Sequence, residues 1–167
     1  MTLSKIKIYF ILLFLLVLSG CAHYSFKGAL PSYLKTISIP IFDDQSAWPG
    51  LQEDLTNRLV DTFIENNSLQ VIDDENSADL VLKGTITSVQ ERYPNITQQE
   101  NVEETQMWVN VRVQCINSHT KKPLWSGSLS NFGTLSGAGT LDQKNAAVSE
   151  AVDKLVIDIL NKTIGAW

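Results

Sequence analysis

Hydrophobic and polar positions alternate, then change period, several times along this chain. Ile37, Ile39 and Ile41 alternate with Ser38 and Pro40, which predicts a half-buried strand. Pro40 has no N–H to give to a ladder, so the strand is expected to lie at an edge or to end there. Residues 43–50 read as turn material. From Leu51 the period lengthens: Leu51, Leu55, Leu59 and Phe63 recur every four residues, while Glu53, Asp54, Arg58, Asp61 and Glu65 face elsewhere. That predicts an amphipathic helix of about four turns. Glu53 and Asp54 suit the positive end of its dipole, and Asn66-Asn67 is a stop signal. Residues 69–72 predict a short strand, 73–79 a polar turn, and 80–92 a longer strand. In that longer strand Leu80, Leu82, Gly84 and Ile86 share one face, and Val81, Lys83, Thr85 and Thr87 the other.

Residues 93–104 read as an exposed loop. The clearest alternation follows, with Met107, Val109, Val111, Val113 and Cys115 against Trp108, Asn110, Arg112, Gln114 and Ile116. Residues 117–123 form a link too short for a helical crossover, so the returning strand, 124–132, must be antiparallel. Residues 133–139 read as a flexible Gly/Ser/Thr stretch. Thr140 and Gln143 then have the spacing of a capping box, and Val148, Val152, Leu155 and Ile159 make the buried stripe of a second helix ended by Gly165. The predicted fold is α+β: two helices packed on one face of a mostly antiparallel four- to five-stranded sheet.

The N-terminus has a different character. Lys5 and Lys7 precede an unbroken apolar run from Ile8 to Leu18, the layout of a secretory leader. As a helix that run would span roughly 16 Å against a bilayer core of about 30 Å, too short for a comfortable membrane span. Leu18-Ser19-Gly20-Cys21 follows and resembles the bacterial lipobox, whose cysteine is acylated and becomes the mature N-terminus. One acyl chain holds a protein to a membrane only marginally, at about 0.8 kcal/mol per buried methylene, whereas three would hold it in effect permanently. Ala22 stands where an aspartate would signal inner-membrane retention, so the resemblance implies the periplasmic face of the outer membrane. The expected organisation is a lipoprotein signal peptide over 1–20, a lipid-anchored linker over 21–33 and a single domain over 34–167.

Composition narrows the function. The 167 residues carry 13 Lys+Arg against 18 Asp+Glu, a formal net charge of −5, which argues against nucleic acid as a partner. Removal of the leader takes away Lys5 and Lys7, and 13 − 2 leaves 11 basic residues against 18 acidic. With Cys21 acylated, Cys115 is a lone thiol expected to pack as a small apolar side chain in its strand. His23 beside the anchor and His119 in a hairpin turn offer no metal-ligand spacing. Gly137-Ala138-Gly139 lacks the Gly-Lys-Ser/Thr ending of a phosphate loop. The acidic pairs Asp43-Asp44, Asp73-Asp74 and Glu103-Glu104 read as solvated turns rather than a carboxylate pair across a cleft. No enzyme, no cofactor and no metal site is expected.

Several segments in order carry a family resemblance. They are Tyr24-Ser-Phe-Lys-Gly28, Leu30-Pro31, Lys35-Thr-Ile-Ser-Ile-Pro-Ile-Phe42, Pro49-Gly-Leu-Gln-Glu-Asp-Leu-Thr56, Ala78-Asp-Leu-Val-Leu-Lys-Gly-Thr85 and Leu124-Trp125. Together they resemble the LptE family of lipopolysaccharide-assembly lipoproteins. The resemblance implies an outer-membrane lipoprotein that plugs and assembles the LptD β-barrel and helps insert lipopolysaccharide into the outer leaflet. Its partners would be an LptD-type barrel, lipopolysaccharide and, through N-terminal acyl chains, the outer membrane. Such a plug needs cationic contacts for lipid A phosphates, and Lys83, Arg92 and Arg112 are the candidates. The strand, helix and Ala78-to-Gly84 order also resembles the TolB amino-terminal, CsgG and LpoB group, envelope lipoproteins that act as secretion-pore subunits or peptidoglycan-synthase activators. Tyr24 to Gly28 and the Pro49-Gly50-Leu51 helix start favour the first family.

Overall fold

The computed structural model describes residues 31–93, 104–137 and 139–165. The lipobox, Cys21, the segment from Tyr24 to Gly28 and most of the predicted 93–104 loop lie outside them. Eight elements follow in order: β1 (Thr36–Ser38), β2 (Asp43–Asp44), α1 (Leu51–Asn66), β3 (Gln70–Val71), β4 (Leu80–Arg92), β5 (Glu104–Asn117), β6 (Lys122–Ser136) and α2 (Leu141–Ile164). The sheet runs β3-β1-β4-β5-β6, with β2 also paired to β4. β4, β5 and β6 form an antiparallel meander, whereas β1 and β2 run parallel to β4 and β3 parallel to β1. The expected α+β architecture is present, with six strands rather than four or five.

The additional strand comes from Asp43–Asp44, read in the sequence as a turn. Two residues pair with Thr85 and Ile86, too few to show a hydrophobic period. Pro40 falls between β1 and β2, so the strand predicted over 37–41 ends at Ser38. β6 was read as stopping at Phe132, but it continues through Gly133 to Ser136. The physical reason lies at Gly133, where a Cβ would stand 2.0 Å from the carbonyl oxygen of Ala147. This glycine lets a helix backbone press directly onto the sheet and is not a flexible link.

Both helices cover one face. Leu51, Leu55, Leu59 and Phe63 of α1 and Val148, Ala151, Val152, Leu155 and Ile159 of α2 meet Leu80, Leu82, Ile86, Val109, Val111 and Val113 from the sheet in one core. The ring of Phe42 packs against Gly84, where a Cβ would overlap it. Thr140 caps α2 as its spacing predicts: its hydroxyl accepts from Gln143 N–H and the Gln143 side chain accepts from Thr140 N–H. Gly50, with φ of 74°, supplies the left-handed turn before α1 and gives it no side-chain cap. Arg58 joins the helices, with Nε 2.8 Å from Asp54 and Nη2 2.8 Å from Ser149 Oγ. Cys115 is fully buried and burial pushes its thiol up to about 12, in keeping with an inert packed side chain.

Candidate functional site: the open face of the sheet

The helices leave the other face of the β4-β5-β6 meander uncovered. Alternation along β5 turns Gln106, Trp108, Asn110, Arg112 and Gln114 onto it, because the odd-numbered residues from Thr105 to Asn117 are buried beneath the helices. The cross-strand register then fixes their neighbours. Trp108 lies between Gln90 and Phe132, Asn110 between Ser88 and Ser130, Arg112 between Thr85 and Ser128, and Gln114 between Lys83 and Ser126. A bulge in β4 between Ile86 and Ser88 switches parity, so Gln90 and Arg92 share this face while Glu91 turns under the helices. There Glu91 meets Lys144 of α2 at 2.8 Å, and this hydrogen bond holds its carboxyl below the usual carboxylate range.

The surface is amide- and hydroxyl-rich and tightly cross-linked. Asn110 Nδ2 donates to Ser88 Oγ at 3.0 Å, its Oδ1 accepts from Ser130 Oγ at 2.6 Å, and its backbone carbonyl accepts from Thr87 Oγ1 at 3.0 Å. One asparagine thus ties three strands together. At one end Trp108 and Phe132 stack with centroids 4.6 Å apart and ring planes 29° apart. The guanidinium of Arg92 covers the Trp108 ring at 4.6 Å, and the indole N–H donates to Gln106 Oε1 at 3.0 Å.

The three cations chosen from the sequence lie on this face but do not form one cluster. Lys83 and Arg112 are diagonal neighbours across β4 and β5. Arg92 pairs opposite Gln106, six residues along β5 from Arg112, or roughly 20 Å at about 3.4 Å per residue. Their states also differ. Lys83 Nζ contacts Glu75 Oε2 at 2.6 Å, and Arg92 donates to Gln90 Oε1 at 2.9 Å while stacking on Trp108. Arg112 is exposed at the centre of the face and makes no hydrogen bond or ion pair among the described residues. Between the rows of Gln106 and Gln114, β4, β5 and β6 turn no Asp or Glu onto this face, but β2 sets the exposed Asp43 beside Thr85, in the row of Arg112. The helices carry eight carboxylates (Glu53, Asp54, Asp61, Glu65, Asp142, Glu150, Asp153 and Asp158) against four cations. The helices are thus predominantly acidic, whereas β4, β5 and β6 turn Lys83, Arg92 and Arg112, with amides and hydroxyls between them, to the opposite side.

Sequence reasoning missed the aromatic stack and the Asn110 cross-link. Trp108 and Asn110 were legible as outward residues of β5, but their partners Phe132, Ser130 and Ser88 depend on register across a hairpin and a bulge. A cluster at the end of the sheet was also missed. Asp79 Oδ2 accepts from the N–H groups of Lys35 and Thr36, and its Oδ1 lies 2.7 Å from His119 Nε2. Among the described residues no group of His, Cys, Asp and Glu is arranged to hold a metal ion. No helix there is long and apolar enough to cross a membrane.

Comparisons with known proteins agree with this architecture. A family profile described as LptE, lipopolysaccharide-assembly, matches residues 34–163. Among curated protein sequences there is no significant match. The fold is similar to that of the Chlamydia trachomatis protein CT253, with a TM-score of 0.60 at 13% identity over 79% of this chain and 96% of that one. It is also similar to lipoprotein B from Nitrosomonas europaea, with a TM-score of 0.53 at 15% identity over 81% of this chain and 84% of that one. A subunit of the PelC dodecamer from Paraburkholderia phytofirmans gives 0.51 at 15% identity over 80% and 91%.

Proposed function

From the premise that this chain belongs to the LptE lipopolysaccharide-assembly family, we propose that it is an outer-membrane lipoprotein that plugs an LptD-type β-barrel and passes lipopolysaccharide to the outer leaflet. Acylated Cys21 tethers the domain on the periplasmic side. The protein works as a binding surface and catalyses nothing.

One observation carries this reading beyond family membership: Lys83, Arg92 and Arg112 share the open face of an acidic protein, and Arg112 at its centre makes no hydrogen bond or ion pair among the described residues. Lipid A offers phosphates, and the sugars around them offer hydroxyls. An arginine with no internal partner can give a phosphate two parallel N–H donors without first breaking a bond of its own. The flanking Ser126, Ser128, Ser130, Thr85, Asn110 and Gln114 can exchange hydrogen bonds with sugar hydroxyls. The Trp108–Phe132 stack gives a sugar ring or an acyl chain an apolar platform. A rigid polar face of this kind also suits the water-filled interior of a large barrel.

Affinity capture of the tagged protein from detergent-solubilised membranes tests the reading. A β-barrel of LptD size should be retained. Retention of a peptidoglycan synthase alone, or of a ring of identical subunits, would overturn it in favour of the TolB-N/CsgG/LpoB-like alternative.

A further inference from the structure

β6 is an edge strand, and its free side is closed at one end only. Phe132 O accepts from Lys154 Nζ at 2.8 Å and Thr134 N–H donates to Glu150 Oε2 at 3.3 Å, so α2 side chains occupy the outward backbone groups there. These two bonds also fix the parity of the strand: its even-numbered residues turn N–H and C=O away from β5. By that parity Ser126, Ser128 and Ser130 turn theirs outward, and no hydrogen bond among the described residues reaches them. Alongside runs a groove of about 650 Å³ between β6 and α2, lined by Leu124, Trp125, Leu129, Asp158, Asn161 and Lys162. The indole N–H of Trp125 is buried and has no hydrogen-bond partner among the described residues. A buried donor left unpaired has lost its water without gaining a bond, so an acceptor brought to it is favoured.

We propose that the Ser126–Ser130 edge of β6 receives an extended segment of the barrel partner, which adds as a further strand beside β6 and sets a large apolar side chain into the groove. The inference rests on the barrel-plug reading and names how the barrel is gripped. The chemistry selects a polypeptide. The open edge offers three N–H and three C=O groups in alternation, and only another extended backbone supplies acceptors and donors at that spacing. An acyl chain supplies neither, and a phosphate supplies acceptors alone. A second copy of this chain is disfavoured by length. Lys154 and Glu150 limit the pairing to about five residues, well short of the ~800 Å² per partner of a stable interface. A strand so short holds only when its chain is already bound elsewhere, as a barrel around a plug is.

The test uses the full-length lipoprotein in cells, with a photo-crosslinking amino acid at position 128 or 130 and, as control, at Glu65 on the outward side of α1. Crosslinks to the barrel from 128 and 130, stronger than from 65, are expected. Ser128→Pro removes one outward N–H at a position where an edge strand tolerates proline, so the melting temperature should hold while barrel recovery falls at least tenfold. Barrel recovered normally, but with no crosslink from 128 or 130, overturns the docking edge and leaves the plug reading standing. Failure to recover any barrel from the wild type overturns both. A crosslinked product of twice this chain's mass overturns the proposal in favour of self-association. Should Ser128→Pro misfold, the crosslinks decide alone.

Discussion

Asp79 and His119 meet at 2.7 Å between Oδ1 and Nε2, joining the start of β4 to the β5–β6 turn at the end of the sheet where the chain enters the fold. The other oxygen of Asp79 accepts from Lys35 N–H, Thr36 N–H and the Thr36 hydroxyl. Burial works against the ionised carboxylate, but the bonds from Lys35, His119 and Thr36 outweigh it and pull the pKa down to about 2.

A carboxyl whose folded pKa is depressed adds stability above its ordinary pKa and loses it as pH falls through the lower value. The window here runs from about pH 4 down to about pH 2. Asp79→Asn should cost roughly 1–2 kcal/mol at pH 7, and the gap to wild type should close across that window. Urea midpoints at a series of pH values measure this. A gap that stays constant down to pH 2 would mean that the carboxylate charge is not what holds the corner.

Gly133→Ala puts a methyl where the carbonyl of Ala147 stands, 2.0 Å away, and backbone cannot swing aside as a side chain can. We expect a loss of about 2–3 kcal/mol, at the upper end of overpacking costs. Gly127→Ala, on the same strand with open space around it, should cost well under half of that. Thermal melts of the pair distinguish a close approach of α2 from a general strand effect.

Cys115 should be unreactive towards thiol reagents in the native protein at pH 8, since burial pushes its thiol up to about 12. One equivalent should react after unfolding in guanidinium, when the lipobox cysteine is replaced. Rapid native labelling would show that β5 opens locally. Cys115→Val should fold with a cost below about 1.5 kcal/mol, as near-isosteric core changes do.

The Arg112 side chain makes no hydrogen bond or ion pair among the described residues, so Arg112→Glu should leave the unfolding free energy within about 0.5 kcal/mol of wild type. Lipopolysaccharide affinity should fall about tenfold or more, the loss of one charge-assisted contact. Lys83→Glu should weaken binding less, because Lys83 already pairs with Glu75 and gives up that bond to bind an anion. Equal losses at the two positions would argue for a diffuse field rather than a contact at Arg112.

How much of this was legible in the sequence follows from the range of the interactions. β4, β5 and both helices are long enough to show their period, so 80–92 and the Thr140 cap appear in the structure as read. β2 is only two residues long, and Gly133 looked like linker because its meaning lies in the backbone of Ala147, fourteen residues on. The outward placement of Lys83 and Arg112 could be read from alternation alone. That Lys83 is paired and Arg112 is not depends on Glu75, which reaches Lys83 from the β3–β4 turn. The Arg92–Trp108–Phe132 column needs the β4 bulge and the β5–β6 register together, and no local pattern encodes either.

The cationic sheet face as the place where glycolipid is taken is the centre of this account. In cells depleted of the native protein, arrival of newly made lipopolysaccharide at the surface should be followed with two rescuing variants. One reverses Lys83, Arg92 and Arg112 to Glu, and the other reverses the exposed Lys121 and Lys122 at the β5–β6 turn. The account predicts full surface arrival with the turn variant and severe loss with the sheet-face variant, although both are captured with the barrel. Equal rescue by the two would contradict it.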